Sequence, residues 1–190
     1  MYQFKYPARG HPKVAEEVIS LLKEKGIKVT GDPLRGLDHG AWSPLSIMFP
    51  NAEIPIVQVS LNSSFDANLH IKVGEALAPL QYKNILIMGS GAATHNLREI
   101  EFLHSGGSTS APDSWATGFL REFEGFLKSS TPNNIQQLSK LYQLPYRARA
   151  HPTLEHLCPV LIPAAAAKGN ANKIHDAMMF KNLSMATYTF

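Results

Sequence analysis

The chain has 190 residues, 44% of them hydrophobic, which is enough to bury a core and excludes disorder as its main state. Its 18 Lys+Arg and 15 Asp+Glu leave a net charge of +3, and the basic residues are scattered, so a nucleic-acid partner is not expected. The single cysteine, Cys158, excludes an internal disulfide framework and a zinc site built from several cysteines.

The first residues contain no apolar signal segment, and the longest apolar run, CPVLIPAAAA, is too short and too proline-rich to span a bilayer. We therefore expect a cytoplasmic protein with no membrane partner. No linker or internal repeat marks a boundary, so residues 1–190 are predicted to form a single domain. Eight histidines in a chain with only 17% charged residues direct attention to imidazole chemistry.

The predicted elements alternate between helix and strand along the chain. The first helix is indicated by Pro12 in its first turn, by an apolar stripe at helical spacing and by Gly26 after its end. Further helices are predicted at about Asp66 to Leu80, at APDSWATGFLREFEGFLKS, at NNIQQLSKLYQL and, interrupted by its own prolines, at HPTLEHLCPVLIPAAAAKG. Strands are predicted at IKVT, IPIVQVSL, NILIMGSG and LSMATYTF. This order predicts an α/β fold with a central mixed sheet flanked by helices.

His39 is the first candidate site residue, in the segment LDHGAWSPL. A loop that contains glycine would let its imidazole project into a cleft instead of onto a helix face. The alternative, a surface or turn histidine, stays open. Trp42 beside it has the same two interpretations, a pocket wall or a core side chain.

His95 is the second candidate, in MGSGAATHNLRE, directly after a predicted strand. Open α/β sheets bind ligands at the carboxyl ends of their strands, where small residues would let the chain turn tightly and present a proton-transferring imidazole. A histidine packed in a loop is the structural alternative. A nucleotide site is rejected because the G-x-G-x-x-G spacing and the P-loop lysine are absent, and a Ser90 nucleophile lacks the G-x-S-x-G motif.

His151 and His156 in HPTLEH suggest a metal site. Their spacing of five residues separates them by about 140° on a regular helix, so both cannot face one ion. If Pro152 begins the helix, His156 on the helix body is the better ligand and Glu155 is a supporting or solvent residue. The remaining histidines, His11, His70, His104 and His175, are expected to be solvated or capping residues, and Cys158 to be a core residue.

The ordered set GLDHGAWSPL, IPIVQVSL, GSGAATHNLR and HPTLEHLCPV resembles the class III extradiol ring-cleaving dioxygenases, in particular the 4,5-DOPA extradiol dioxygenases. The resemblance covers nearly the whole chain. It implies a non-haem Fe(II) enzyme, sometimes with zinc bound instead, that opens the ring of a catechol with O2 next to the paired hydroxyls. It also implies a role for each candidate: His95 as the catalytic acid-base residue, His39 as a second pocket histidine that contacts substrate or oxygen, and His156 as a metal ligand.

The resemblance further implies metal-ligand histidines in amino-terminal segments of the G-H-G-[SA]-P and A-H-W types, and neither segment occurs in this sequence. Three explanations stay open: a truncated form of an active enzyme, a non-catalytic paralogue that binds a small molecule or partner, or a chain completed by a second polypeptide. Loss of early strands would leave a hydrophobic sheet edge, which favours a homo-oligomer or aggregation. A metallohydrolase that acts on esters or amides without O2 is the rival enzyme class.

Overall fold

The computed structural model describes residues 5–100 and 111–190. The chain divides into two compact units, Met1–Ser60 and Leu61–Phe190. The prediction of a single domain stays a prediction. The α-helices are α1 (Pro12–Glu24), α2 (His39–Met48), α3 (Ala67–Leu77), α4 (Ser114–Ser129), α5 (Arg147–Ala150) and α6 (Leu161–Ala166). Short 3-10 helices span Ala78–Lys83, Leu97–Glu99, Ile135–Gln143 and Cys158–Val160, and the strands are β1 (Asn172–His175), β2 (Met178–Met179), β3 (Leu183–Ser184) and β4 (Thr187–Thr189).

The Met1–Ser60 unit is built around α1, as the sequence predicted. His11 caps the helix, because its Nδ1 accepts a hydrogen bond from the backbone N–H of Val14 at 3.2 Å. The helix ends before Gly26, whose φ of 70° lies in the left-handed region that glycine adopts without strain. Val18 and Leu22 are the buried residues of its apolar stripe. The capping role predicted for His11 is therefore confirmed.

The Leu61–Phe190 unit has a helical core in which α3 packs against α6. Their contact requires Gly74, since a Cβ atom there would lie 2.3 Å from the carbonyl oxygen of Ile162. On α4, Phe119, Phe123 and Leu127 recur every fourth residue and are all buried. The helix predicted in this segment is confirmed, and it supplies the central apolar face of the unit.

The described strands form two antiparallel pairs, β1 with β4 and β2 with β3. The α/β class is confirmed, but the described strands do not form the central mixed sheet that was expected. The predicted carboxy-terminal strand is divided into β3 and β4, which belong to different pairs. The segments predicted as strands at residues 54–61 and 84–91 form no strand, and within the described ranges their only bridge is a single parallel one between Ile56 and Gly10. A β-branched run makes an extended segment favourable, whereas a sheet also needs a neighbouring ladder.

Two predictions about isolated side chains have opposite outcomes. Cys158 is buried, as expected for a core residue, and this burial raises the pKa of its thiol to about 11. The prediction that His70 is solvated or capping is wrong, because its side chain is only 2% exposed. Its Nε2 accepts from the N–H of Asn62 at 3.1 Å and its Nδ1 donates to the carbonyl of Asp66 at 2.7 Å. His175 is exposed, on β1, and His104 lies outside the described residues.

Among the described residues, no helix is long and apolar enough to cross a membrane.

Candidate functional site

Two irregular segments of the Leu61–Phe190 unit, residues 91–96 and 150–156, lie side by side and carry two of the candidate histidines. The N–H of Ala92 donates to the carbonyl of His156 at 3.2 Å, and the N–H of His95 donates to the carbonyl of Ala150 at 2.9 Å. Apart from Ala150, the last residue of α5, neither segment is helical, and their backbone groups instead join the two segments. We call this pair the histidine-bearing segments.

Glycines make the close approach of these segments possible. A Cβ atom on Gly91 would lie 2.2 Å from the carbonyl oxygen of His156, and one on Gly89 would lie 2.4 Å from that of Pro159. The predicted role of these small residues was to let the chain turn tightly. Neither glycine has a positive φ, so their function is close backbone packing.

The histidine-bearing segments bring together His95, Glu155 and His156, whose potential ligand atoms all lie within 4.8 Å of one another. The two imidazoles are stacked, with ring centroids 3.5 Å apart and planes 10° from parallel. Both rings are half-buried, and the carboxylate is exposed and accepts a hydrogen bond from the Thr153 hydroxyl at 2.7 Å. The cluster unites two imidazoles and one carboxylate, which are suitable ligand types for a transition metal.

The ionisable groups of the cluster influence one another's pKa values. Burial lowers the pKa of His95, while the nearby Glu155 carboxylate opposes this shift. For Glu155, burial raises the pKa, but the hydrogen bond from Thr153 and the attraction of the two imidazoles outweigh it, and the net pKa is lowered. The arrangement therefore combines a histidine that favours its neutral form with an ionised carboxylate beside it.

The stacking limits how the cluster can bind one ion. An ion midway between the rings would lie about 1.7 Å out of each ring plane, half of the 3.5 Å separation, whereas a metal–nitrogen bond of about 2.1 Å normally lies in the ring plane. His95 and His156 are therefore poorly placed to bind the same ion in this geometry. One ring suits a ligand role together with Glu155, and the other suits proton transfer beside it.

His39 lies in the Met1–Ser60 unit. The prediction that it lies in a loop is wrong, because it is the first residue of α2. The Asp38 carboxylate caps this helix by accepting from the N–H of Ala41 at 3.0 Å. The exposed imidazole makes an edge contact with Trp42, with ring centroids 5.0 Å apart. That His39 shares a pocket with His95 stays a prediction.

The HPTLEH segment also differs from its predicted form. His156 lies in a turn before the 3-10 helix Cys158–Val160 and not on a helix body, and Pro152 begins no helix. The inference that His151 and His156 cannot share an ion agrees with the structure, since His151 is completely buried and binds the carbonyl of Ala93. Glu155, expected to be only a supporting or solvent residue, is within ligand distance of the other cluster members.

Two buried polar residues of this region were not identified from the sequence. Thr94 accepts at its hydroxyl from the N–H of Ser184 at 2.7 Å and donates to the carbonyl of Asn182 at 2.6 Å. The Asn182 amide in turn donates to the carbonyl of Glu99 at 2.8 Å and to the carboxylate of Asp113 at 3.2 Å. Their partners are distant in sequence, so no local pattern could have indicated them.

Comparison with known proteins identifies relatives over the whole chain. The family described as the catalytic LigB subunit of aromatic ring-opening dioxygenase matches residues 1–190. The 4,5-DOPA dioxygenase extradiol of Beta vulgaris is 38% identical over 195 residues, which cover 100% of this chain and 69% of that protein. The 4,5-DOPA dioxygenase extradiol of Escherichia coli K12 is 35% identical over 170 residues, which cover 89% of this chain and 60% of that protein.

A solved structure agrees with these matches. The crystal structure of an uncharacterized protein of Escherichia coli K12 has a TM-score of 0.84 and 32% sequence identity, and the alignment covers 99% of this chain and 76% of that chain. This chain thus spans between 60% and 69% of the length of the two curated relatives.

Proposed function

This chain belongs to the family of the catalytic LigB subunit of aromatic ring-opening dioxygenase, a family of oxidoreductases, and on this basis we propose that it opens the ring of a catechol with O2. The bond broken is the ring bond next to the paired hydroxyls, and the product is a muconic semialdehyde. Two curated relatives act on DOPA according to their names, which supports a DOPA-like catechol as the substrate. The observation that carries the proposal is the cluster of His95, Glu155 and His156.

A non-haem Fe(II) ion fits the chemistry of this cluster, with zinc as an alternative occupant. Imidazole nitrogen and carboxylate oxygen are the donors that mononuclear non-haem iron sites use. We assign His156 and Glu155 as the residues that would hold the ion. The stacking disfavours binding of one ion by both rings, and the resemblance to the family gives the ligand role to His156. When bound, the ion would draw the catechol oxygens into its coordination sphere and make the electrons of the ring available to O2.

His95 is assigned to proton transfer. Its ring lies 3.5 Å from that of His156, so a catechol held at the metal would have a hydroxyl near this imidazole. A half-buried imidazole can accept a phenolic proton and later return it to the developing product. The nearby Glu155 carboxylate would stabilise the imidazolium that forms in between.

His39 is assigned as the second histidine of the substrate pocket, in contact with the catechol or with oxygen. This assignment is supported by its exposed ring, which is available to a ligand, and by its edge contact with Trp42, an aromatic side chain suited to the wall of a catechol pocket. Replacement of His39 by Ala is expected to lower turnover without loss of bound metal.

The test is anaerobic reconstitution with Fe(II), followed by metal analysis, oxygen uptake and absorbance of the yellow product on addition of DOPA. His156→Ala is expected to lose iron, whereas His95→Ala is expected to retain iron and lose ring opening. His175→Ala is the matched control, because that histidine is exposed on β1 of the same unit.

Several outcomes would contradict these roles. An iron-replete His156→Ala protein would remove His156 from the ligand set, and unchanged turnover in His95→Ala would reject proton transfer by that residue. A wild-type chain that binds no iron and consumes no O2 with any catechol would instead indicate a non-catalytic binding protein. Hydrolysis of esters or amides without O2 consumption would indicate a metallohydrolase.

A further inference from the structure

His151 is a completely buried imidazole directly beneath the candidate site. Its Nε2 lies 3.0 Å from the carbonyl oxygen of Ala93, and a carbonyl can only accept, so Nε2 carries the proton. The Nδ1 atom has no hydrogen-bond partner among the described residues. The edge of the ring packs against Phe119, with centroids 5.4 Å apart. This side chain is therefore a neutral hydrogen-bond donor with one unsatisfied nitrogen.

The bond to Ala93 is one of four consecutive anchors around His95. Thr94 is held through its hydroxyl by the N–H of Ser184. The N–H of His95 donates to Ala150, and the Asn96 amide donates to the carbonyl of Arg149 at 2.7 Å. Three of these anchors use backbone groups or residues within the segment itself. The anchor at Ala93 instead depends on the side chain of His151, so it can be removed without changing any residue of the segment that carries His95.

The unsatisfied Nδ1 indicates that His151 is present for more than packing. A buried polar atom without a partner is destabilising, and an apolar side chain of similar size would avoid that loss. His70 provides the contrast within the same unit, since it is also buried but both of its ring nitrogens form hydrogen bonds. What His151 supplies in return is the Nε2–H donor to the backbone two residues before His95.

We infer that His151 is a positioning residue, which holds the carbonyl of Ala93 and thereby fixes His95 against His156. Its effect on turnover rests on the proposed ring-opening function, whereas its effect on the orientation of His95 does not. Support from a buried second residue is what keeps a proton-transferring group in productive geometry, and a displacement of about 1 Å can reduce a rate roughly 100-fold.

The first test needs no activity. In the full chain labelled with 15N-histidine, NMR should show one buried histidine with a protonated Nε2 and a bare Nδ1 at neutral pH, and this signal should vanish in His151→Gln. His70 should show the opposite tautomer, with the proton on Nδ1, and so serves as an internal reference. A cationic ring or an Nδ1–H tautomer at His151 would overturn the inference.

The second test compares two variants. His151→Gln keeps an amide N–H close to the position of Nε2, whereas His151→Leu has a similar size and no donor. His151→Leu is expected to shift the ring signals of His95 and to lower kcat about 10- to 100-fold with little change in KM, and His151→Gln should restore most of both. His70→Leu, equally buried, should leave the His95 signals unchanged.

The outcomes separate this inference from the proposed function. If His151→Leu shifts the His95 signals but the wild-type protein opens no catechol ring, positioning is supported and the dioxygenase proposal is rejected. Unshifted His95 signals in folded His151→Leu would overturn positioning whatever the activity. If His151→Leu does not fold, the tautomer of the wild type decides the question, since a cationic ring or an Nδ1–H tautomer could not hold the carbonyl of Ala93 as the inference requires.

Discussion

Acidification should destabilise the Leu61–Phe190 unit through His151. Burial lowers the pKa of this histidine from 6.5 to about 4. Between pH 6.5 and about pH 4 the unfolded chain binds a proton at His151 that the folded chain does not. The stability that the neutral buried ring contributes is therefore fully present above pH 6.5 and is lost as the pH falls toward 4. The difference in proton binding lowers the free energy of unfolding by about 2 kcal/mol between about pH 7.5 and about pH 5.

Chemical denaturation at several pH values measures this loss. Trp115 is buried on α4 of the same unit, and replacing Trp42 by Phe would leave it as the only tryptophan, so its fluorescence would report the unfolding of that unit. His151→Gln in this background should reduce the pH dependence of the free energy of unfolding by about 1.2 kcal/mol per pH unit between about pH 5 and about pH 6. His175→Gln, at an exposed position, should follow the parent protein.

Equal pH dependence in the parent and in His151→Gln would refute this reasoning. It would mean that the imidazole is protonated in the folded state with little penalty, and hence that water or an acidic group reaches it. The other histidines of the unit are present in both proteins, so they cancel in the comparison.

Two further predictions concern packing. Gly91→Ala should weaken metal binding, because the added Cβ would lie 2.2 Å from the backbone oxygen of His156 and force it to move. Gly125→Ala is the control: a Cβ there in α4 would meet nothing within 4 Å, so metal content should be unchanged and the protein should be stabilised by about 0.5–1 kcal/mol. Isothermal titration with Fe(II) and thermal unfolding would distinguish the two. Phe119→Ala should lower the free energy of unfolding by about 3–5 kcal/mol, since this fully buried ring lies at the centre of the core, and a loss below about 1 kcal/mol would mean that the core repacks.

Helix α2 lies in a segment whose Gly, Pro and Asp content predicted a loop. Helix α1, in contrast, was predictable from the sequence because its determinants are local. Pro12, the apolar stripe with Val18 and Leu22, and Gly26 all lie within or next to α1, and each has the structural role that its position indicated. Residues 84–91 were predicted as a strand from their composition, but they form no strand in the structure. A strand needs a ladder with a second segment, and no local pattern shows whether that segment is present.

The candidate site was predictable only in part, for the same reason. The sequence and its resemblance to a family directed attention to His95 and His156, and the structure brings the two rings into contact. The proximity of Glu155 was missed, because on a regular helix adjacent residues point in directions about 100° apart. The turn that replaces the predicted helix removes this restriction, and the carboxylate can then lie beside both imidazoles.

The irregular backbone around the site therefore has a physical explanation. A helix over residues 151–157 would direct its carbonyls along its own axis, whereas the carbonyl of His156 here accepts from Ala92 and the ring of His151 reaches Ala93. These two bonds join the segment that carries the proposed metal ligands to the segment that carries the proposed acid-base residue. Gly89 and Gly91, which have no side chain to obstruct the approach, are the residues that allow the two segments to meet.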